Sequence, residues 1–393
     1  MMYTARISFA AVLALSSAAC LTQTSSATDG GTGTPAPTGD AGTDPGTNTT
    51  NADAIPYRED LTKHPGCTTD GLSSRPAGAT NANQYQAANI PGYKCAAKEY
   101  VTPNEDTNKP IVLLIHGNSS TPADYEINPS TSPCGTPPVA PPNPPTPMLS
   151  ERLTSAGFKV FAVDGRVDKN DDPSANNTTE NAGRNIDHGW YVPIVEHFID
   201  SVMAANPTRK VSIVGFSLGP TVIRDALRRL HRAGKKPYEH IKTLLLASGA
   251  NHGVSSFRSL CGSNPTMRGK VACEMGDRTS YTPTTFQTPN NGPDGAYETP
   301  CADGNTAYGQ AGVCGGNKVT YVTIVMQDPP PPATLQDEFV SQGSAALKGA
   351  NNLTVTLADV DTSCHFVGGA FKNHYGAVRS ENGLKQIMAA LSN

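Results

Sequence analysis

From residue 109 onward, unbroken apolar runs alternate with segments whose apolar residues return at helical spacing. Lys109-Pro-Ile-Val-Leu-Leu-Ile-His, Phe158-Lys-Val-Phe-Ala-Val-Asp, Val211–Val214, Ile241–Ala247 and Val319–Met326 read as strands. Met148–Ala156 reads as a helix between the first two. Tyr191–Ala205 carries Val192, Val195, Phe198, Ile199 and Val202 on one helical face, Pro220–Ala233 predicts a helix with a basic outer face, and Gly383–Leu391 predicts a last one. Strands apolar on both sides, alternating with helices, predict the α/β class: a mostly parallel central sheet with helices on both faces. Long irregular insertions at about 120–147 and 253–317 hold most of the Pro, Gly and Cys, and are expected at the carboxyl edge of the sheet. The Pro-rich runs Cys134–Pro147 and Pro329–Pro332 read as rigid loop.

The first 55 residues are of a different kind. Arg6, an apolar stretch from Phe9 to Leu15 and small residues up to Cys20 form a signal peptide over residues 1–19, too short to span a bilayer. Ser17-Ala18-Ala19-Cys20 resembles the lipobox of bacterial lipoproteins, which implies lipid attachment at Cys20 and a membrane contact there. Ser17 stands where that motif has Leu, so ordinary signal cleavage and secretion is the alternative. Leu21 after that cysteine would allow outer-membrane sorting by the common bacterial rule. Residues 20–55 are Thr, Ser, Gly, Asp, Asn and Pro with almost no large apolar side chain; such a segment reads as a disordered tether. The folded body is expected over 56–393, and a monomer is expected.

Charge narrows the partners. With 16% charged residues, a net charge of −4 and no basic run, nucleic acid is not an expected partner. Besides Cys20 there are eight cysteines, and an even number in an exported chain points to disulfides. Eight cysteines allow 105 pairings. Pairing neighbours gives Cys67–Cys95, Cys261–Cys273 and Cys301–Cys314, leaving Cys134–Cys364. No Cys-x-x-Cys spacing occurs, so no metal site is expected.

One stretch carries the chemistry. Residues 211–219, Val-Ser-Ile-Val-Gly-Phe-Ser-Leu-Gly, run an apolar strand into Gly-x-Ser-x-Gly, with a helix following. This is the setting of a nucleophile elbow: Gly215 and Gly219 stand where a Cβ would clash, and the Ser217 hydroxyl is exposed on a tight strand-to-helix corner. The bland reading is a Gly-rich turn whose Ser caps the helix. A serine nucleophile needs a base and two converging N–H donors for the oxyanion. Leu218, after the serine, supplies one; the loop Leu114-Ile115-His116-Gly117-Asn118 supplies the other, at Asn118. His116 sits at a strand end before the serine and reads as a structural histidine bonding neighbouring backbone.

Ile-His-Gly-Asn, Gly-Phe-Ser-Leu-Gly and Ala247-Ser-Gly-Ala-Asn-His-Gly together resemble the α/β-hydrolase fold, and within it the class 2 lipases; lidless bacterial triacylglycerol lipases and some extracellular polyhydroxyalkanoate depolymerases are similar. The likeness covers about 109–260 and 318–391. It implies the chain order nucleophile, acid, histidine. For the acid, Asp337-Glu-Phe-Val-Ser matches the family's pattern, with Asp328 the alternative. For the histidine, Asn373-His374-Tyr-Gly resembles the family's His-x-Gly, with His365 the alternative. His252 comes too early and reads as a loop stabiliser. The resemblance implies a serine carboxylic ester hydrolase with no cofactor, acting on lipid, small-ester or polyester substrates. Depolymerisation of polyhydroxyalkanoate-type polyesters, amidase or acyltransferase chemistry, and a non-catalytic surface lipoprotein on the same fold are the competing readings.

Overall fold

The computed structural model describes residues 85–90, 93, 97–117, 120–126, 147–165, 188–254, 313–314, 317–327, 337–347, 350–356 and 372–393. The signal and tether segments, Cys20, and all eight remaining cysteines except Cys314 lie outside them, as do Asn118, Asp328 and His365. The expected disulfide pairs therefore lie outside the described residues.

Ten strands are described, named in chain order. They are β1 (Tyr85–Ala87), β2 (Ala97–Tyr100), β3 (Ile111–Ile115), β4 (Val160–Val163), β5 (Val211–Phe216), β6 (Ile241–Ala247), β7 (Val313–Cys314), β8 (Asn317–Lys318), β9 (Thr320–Met326) and β10 (Asn351–Val355). The helices are α1 (Leu149–Ser155), α2 (His188–Ala205), α3 (Gly219–Arg232), α4 (Gln342–Ala345), α5 (Lys372–Arg379) and α6 (Glu381–Ser392). Eight strands form one sheet in the order β1-β2-β4-β3-β5-β6-β9-β10, and β7 and β8 form a separate two-stranded ribbon. β1 and β2 run antiparallel to their neighbours; every pairing from β4 to β10 is parallel.

The apolar runs are unbroken because both faces of the sheet are covered. On β3, Ile111, Leu113 and Ile115 point to the side packed by α2 and α3, whereas Val112 and Leu114 point to the side packed by α1, α5 and α6. β5 repeats the division, with Val211 and Ile213 on the first side and Val214 and Phe216 on the second. Parallel strands with this double cover place their carboxyl ends, and the loops that leave them, along one edge.

Several elements depart from the sequence reading, α5 among them. β1 and β2 were not expected: Ala97-Lys-Glu-Tyr alternates poorly, and Lys98 and Glu99 are accommodated by pairing with Glu126 and Lys159, each at 2.9 Å. β10 begins Asn-Asn and is held partly by the Asn352 side chain, which accepts the Leu347 N–H at 3.0 Å and the Thr323 hydroxyl at 2.6 Å. The start of the 120–147 insertion is not irregular, since Pro122–Tyr125 is a 3-10 turn with Asp124, Tyr125 and Glu126 buried.

Truncating Ile213 to Ala, fully buried at mid-strand in β5, should cost about 2–5 kcal/mol in chemical denaturation. Val101→Ala, at the 38% exposed Val101, should stay within about 0.5 kcal/mol.

Candidate active site

β5 lies between β3 and β6, and its end is the centre of the carboxyl edge. There the chain turns from strand to helix within two residues, and Ser217 takes φ of +60°. A left-handed backbone at a non-glycine residue costs on the order of 1–3 kcal/mol and persists only when neighbours enforce it. They do so here: the Ser217 N–H donates to the Ala247 carbonyl at 3.0 Å, and the Ala250 N–H reaches the Ser217 carbonyl at 3.4 Å. The turn also needs bare glycines. A Cβ on Gly215 would lie 2.5 Å from Ile223 Cδ1, and one on Gly219 would drive into the Ile115 carbonyl oxygen. Pro220 fits the first helical turn, where no N–H is required. Ser217 is partly exposed on this corner, and the buried Leu218 sits at the start of α3. Amides at a helix start have no partner within the helix and form the positive end of its dipole.

The loop after β3 comes up against the same corner. A Cβ built on Gly117 would stand 3.0 Å from Ser217 Cβ. His116 is buried: its Nδ1 donates to the Gly117 carbonyl at 2.8 Å, its Nε2 accepts the Gly165 N–H at 3.0 Å, and its ring stacks on Tyr191. Both ring nitrogens are thus engaged by backbone. His252 Nδ1 donates to the Ser344 carbonyl at 2.9 Å, tying the loop after β6 to α4.

Asp337 and His374, 37 residues apart in the chain, meet next to this corner. His374 Nδ1 lies 2.9 Å from Asp337 Oδ2 and 3.0 Å from Oδ1, so Nδ1 carries the proton and Nε2 is the basic nitrogen. Asp337 Oδ1 also accepts the N–H groups of Phe339 and Val340 at 2.8 and 2.9 Å. Both residues are buried. The imidazole packs on Phe216, the residue before Ser217, with centroids 4.9 Å apart, and meets Phe339 edge-on at 5.1 Å. His374 stands in the first turn of α5, ahead of the terminal helix α6. Glu338 holds that turn by accepting the N–H of His374 at 2.7 Å and of Asn373 at 3.2 Å, a helix N-terminal carboxylate of the usual favourable kind. The Ser248 hydroxyl reaches the His374 carbonyl at 3.3 Å.

The ionisation states follow. Burial would lower the His374 pKa, but the Asp337 charge and hydrogen bond, helped by Glu338 and Asp124, overcome it and raise the pKa. Burial would raise the Asp337 pKa, but His374 and the two backbone N–H bonds win and hold it below the ordinary carboxylate value. Sequence reading missed Glu338 and Asp124 here. Their role lies in contacts to residues 35 and more positions away, for which local pattern carries no signal. Among the described residues, no group of three or more His, Cys, Asp or Glu could hold a metal ion.

Strand order and the strand–serine–helix corner together identify the architecture. It is the α/β-hydrolase fold. No protein-family model matches the chain, and no curated protein matches it. Among solved structures, it is similar to the mature lipase BlEst2 of Bacillus licheniformis, with 14% identity, 74% of this chain and 95% of that one covered, and a TM-score of 0.42. The carboxylesterase CesB of Bacillus subtilis overlaps at 14% identity, 82% and 94% coverage and 0.38. Lipase B of Aspergillus fumigatus overlaps at 15% identity, 82% and 62% coverage and 0.44.

The carboxylate–imidazole pair makes stability depend on pH in a defined direction. Asp337, with its pKa lowered from 3.8, contributes above that value and loses its contribution as pH falls through the native pKa. His374, with its pKa raised from 6.5, contributes fully below 6.5 and loses its contribution as pH rises through the native pKa. The stability gap between wild type and Asp337→Asn should therefore be widest from 3.8 to 6.5. Denaturant midpoints across pH measure it, and a gap that is flat over the whole range would contradict the pairing.

Proposed function

We propose that the chain is an exported serine ester hydrolase of the lipase and carboxylesterase type, with Ser217 as nucleophile, His374 as base and Asp337 as the acid that orients it. The observation that carries this reading is the buried Asp337–His374 pair, 2.9 Å apart, packed on Phe216 beside the strained Ser217 corner. In this reading His374 Nε2 takes the Ser217 proton as Oγ attacks the ester carbonyl. Asp337 keeps the proton on Nδ1 and stabilises the imidazolium that forms. The Leu218 N–H, at the head of α3, and the Asn118 N–H receive the negative charge of the tetrahedral intermediate. The imidazolium then protonates the leaving alcohol. Water, deprotonated by the same imidazole, releases the acid from the acyl-enzyme. No step requires a cofactor. Residues 1–19 direct export, and Cys20 is the point of lipid attachment that ties the body to a membrane through the 20–55 tether.

Ser217→Ala should abolish labelling by a fluorophosphonate probe together with hydrolysis of short aryl esters. A folded wild-type chain that the probe does not label would overturn the proposal. Because His374 must be neutral to act as base, the acid limb of kcat/KM should lie above pH 6.5, the ordinary histidine value. Asp337→Asn should lower kcat by roughly 10⁴ and move that limb to lower pH. A panel of short esters, long triacylglycerols and polyester film, with Ser217→Ala as control, assigns the substrate class.

A further inference from the structure

Asp124 lies outside the proposed triad, yet it touches the elements on either side of it. It is buried in the 3-10 turn that follows the loop after β3. Its Oδ2 accepts the Gly117 N–H at 3.3 Å, one residue before the proposed oxyanion donor Asn118. Its Oδ1 accepts the Ser120 hydroxyl at 2.6 Å and the Tyr375 hydroxyl at 3.2 Å. Tyr375 is the neighbour of His374 on α5. Arg379, one turn further along α5, donates from Nε to the Asp124 carbonyl at 3.0 Å and sets a terminal nitrogen 3.6 Å from Oδ1. The same guanidinium lies over the Tyr375 ring, 4.5 Å from its centroid. Phe216 packs against the rings of both His374 and Tyr375, each at 4.9 Å.

We propose that Asp124 is a positioning residue that fastens the oxyanion loop to the histidine helix. This rests on the reading of Ser217, His374 and Asp337 as a triad. Three donors of different origin, one peptide N–H and two hydroxyls, converge on one side chain. Only an ionised carboxylate, an acceptor at both oxygens, takes all three. Asparagine keeps one acceptor oxygen: its NH₂ either meets the Gly117 N–H donor against donor, or faces the two hydroxyls and makes both reverse and accept, and the charge is lost either way. The buried charge is tolerable because Arg379 pairs with it and the hydrogen bonds occupy its lone pairs. Since the bonds end on Gly117 and on Tyr375, loosening them frees the oxyanion peptide and the imidazole to drift apart. A misplacement of about 1 Å at such a site can cost on the order of 10²-fold in rate. The charge has a second effect. Among the described residues, the ionisable groups around His374 are Asp337 and Glu338 from the segment before α4, Tyr375 on its own helix, and Asp124 with its partner Arg379; Phe216 and Ser248 add none. Removing the Asp124 charge leaves the imidazolium with less support.

The test compares Asp124→Asn, Asp124→Ala and Tyr375→Phe in the full chain. Active sites are counted by fluorophosphonate titration, and the melting temperature is followed in parallel. For Asp124→Asn, kcat per titrated site should fall about 10–100-fold with KM within about twofold, and the acid limb should move to lower pH. Tyr375→Phe, which leaves the Gly117 bond in place, should lose less. If Asp124→Ala does not fold, the near-isosteric Asn variant carries the comparison. Unchanged kcat per site and an unchanged acid limb in Asp124→Asn, even with a lowered melting temperature, would reduce Asp124 to a structural residue and overturn the proposal. A wild type that the probe does not label sinks the hydrolase reading instead. NMR of the Ser217→Ala background then decides the Asp124 question without catalysis: the substitution should shift the Gly117 amide and lower the His374 midpoint, and no change in either would overturn it.

Discussion

A side chain at position 219 would occupy the space of the Ile115 carbonyl oxygen, and the whole site is arranged around that exclusion. Because Gly219 carries no Cβ, α3 can start against the end of β3 and β5 can end in a sharp corner. The corner sets Ser217 at a backbone angle that an ordinary residue avoids. Strain of this kind relaxes unless the surroundings are stiffer than the turn. β5 supplies that stiffness, being hydrogen-bonded on both sides and packed on both faces. The apolar sheet therefore does more than fill a core. It is the anvil that keeps one serine in an unfavourable conformation.

The second constraint is electrostatic. Asp337 and Asp124 are buried carboxylates close to the serine corner, and either would be costly alone. Each is met by a cationic or proton-sharing partner from α5, His374 for one and Arg379 for the other. The eight-residue α5 thus answers two buried acids from consecutive turns. Its own first turn is held by a third acid, Glu338. Breaking one such pair leaves a stranded charge, which costs more than the pair itself contributes.

The parts of the fold that could be read from sequence are those whose reasons are local or two-sided. β3, β4, β5, β6 and β9 show as unbroken apolar runs because both their faces are buried, and α2 and α3 show as helices because one face of each is. β2 was hidden because Lys98 and Glu99 find partners far away in the chain. β10 was hidden because an edge strand can begin with exposed asparagines. α5 was hidden for a similar reason: Gly376 weakens it from within, and the carboxylate that holds its start belongs to residue 338. The serine corner was legible because strand, turn and helix adjoin in sequence. Asp337 and His374 could be singled out only through the family resemblance, since 37 residues separate them and neither stands in a distinctive local pattern. Asp124, whose partners on α5 lie 251 and 255 positions away, left no trace in the sequence at all.

Glu338 and Asp337 are neighbours, and they grip the same residue by different handles. One holds the amide of His374, and the other holds its ring. Acid and imidazole are consequently tied together twice over, through a side chain and through a backbone amide. A displacement of the segment around residue 338 therefore strains both ties at once, the one to the ring and the one to the backbone. Toward the serine corner the pair is met by a ring contact instead, the imidazole lying 4.9 Å from the Phe216 ring, so the side facing position 217 is set by packing where the other two are set by charge.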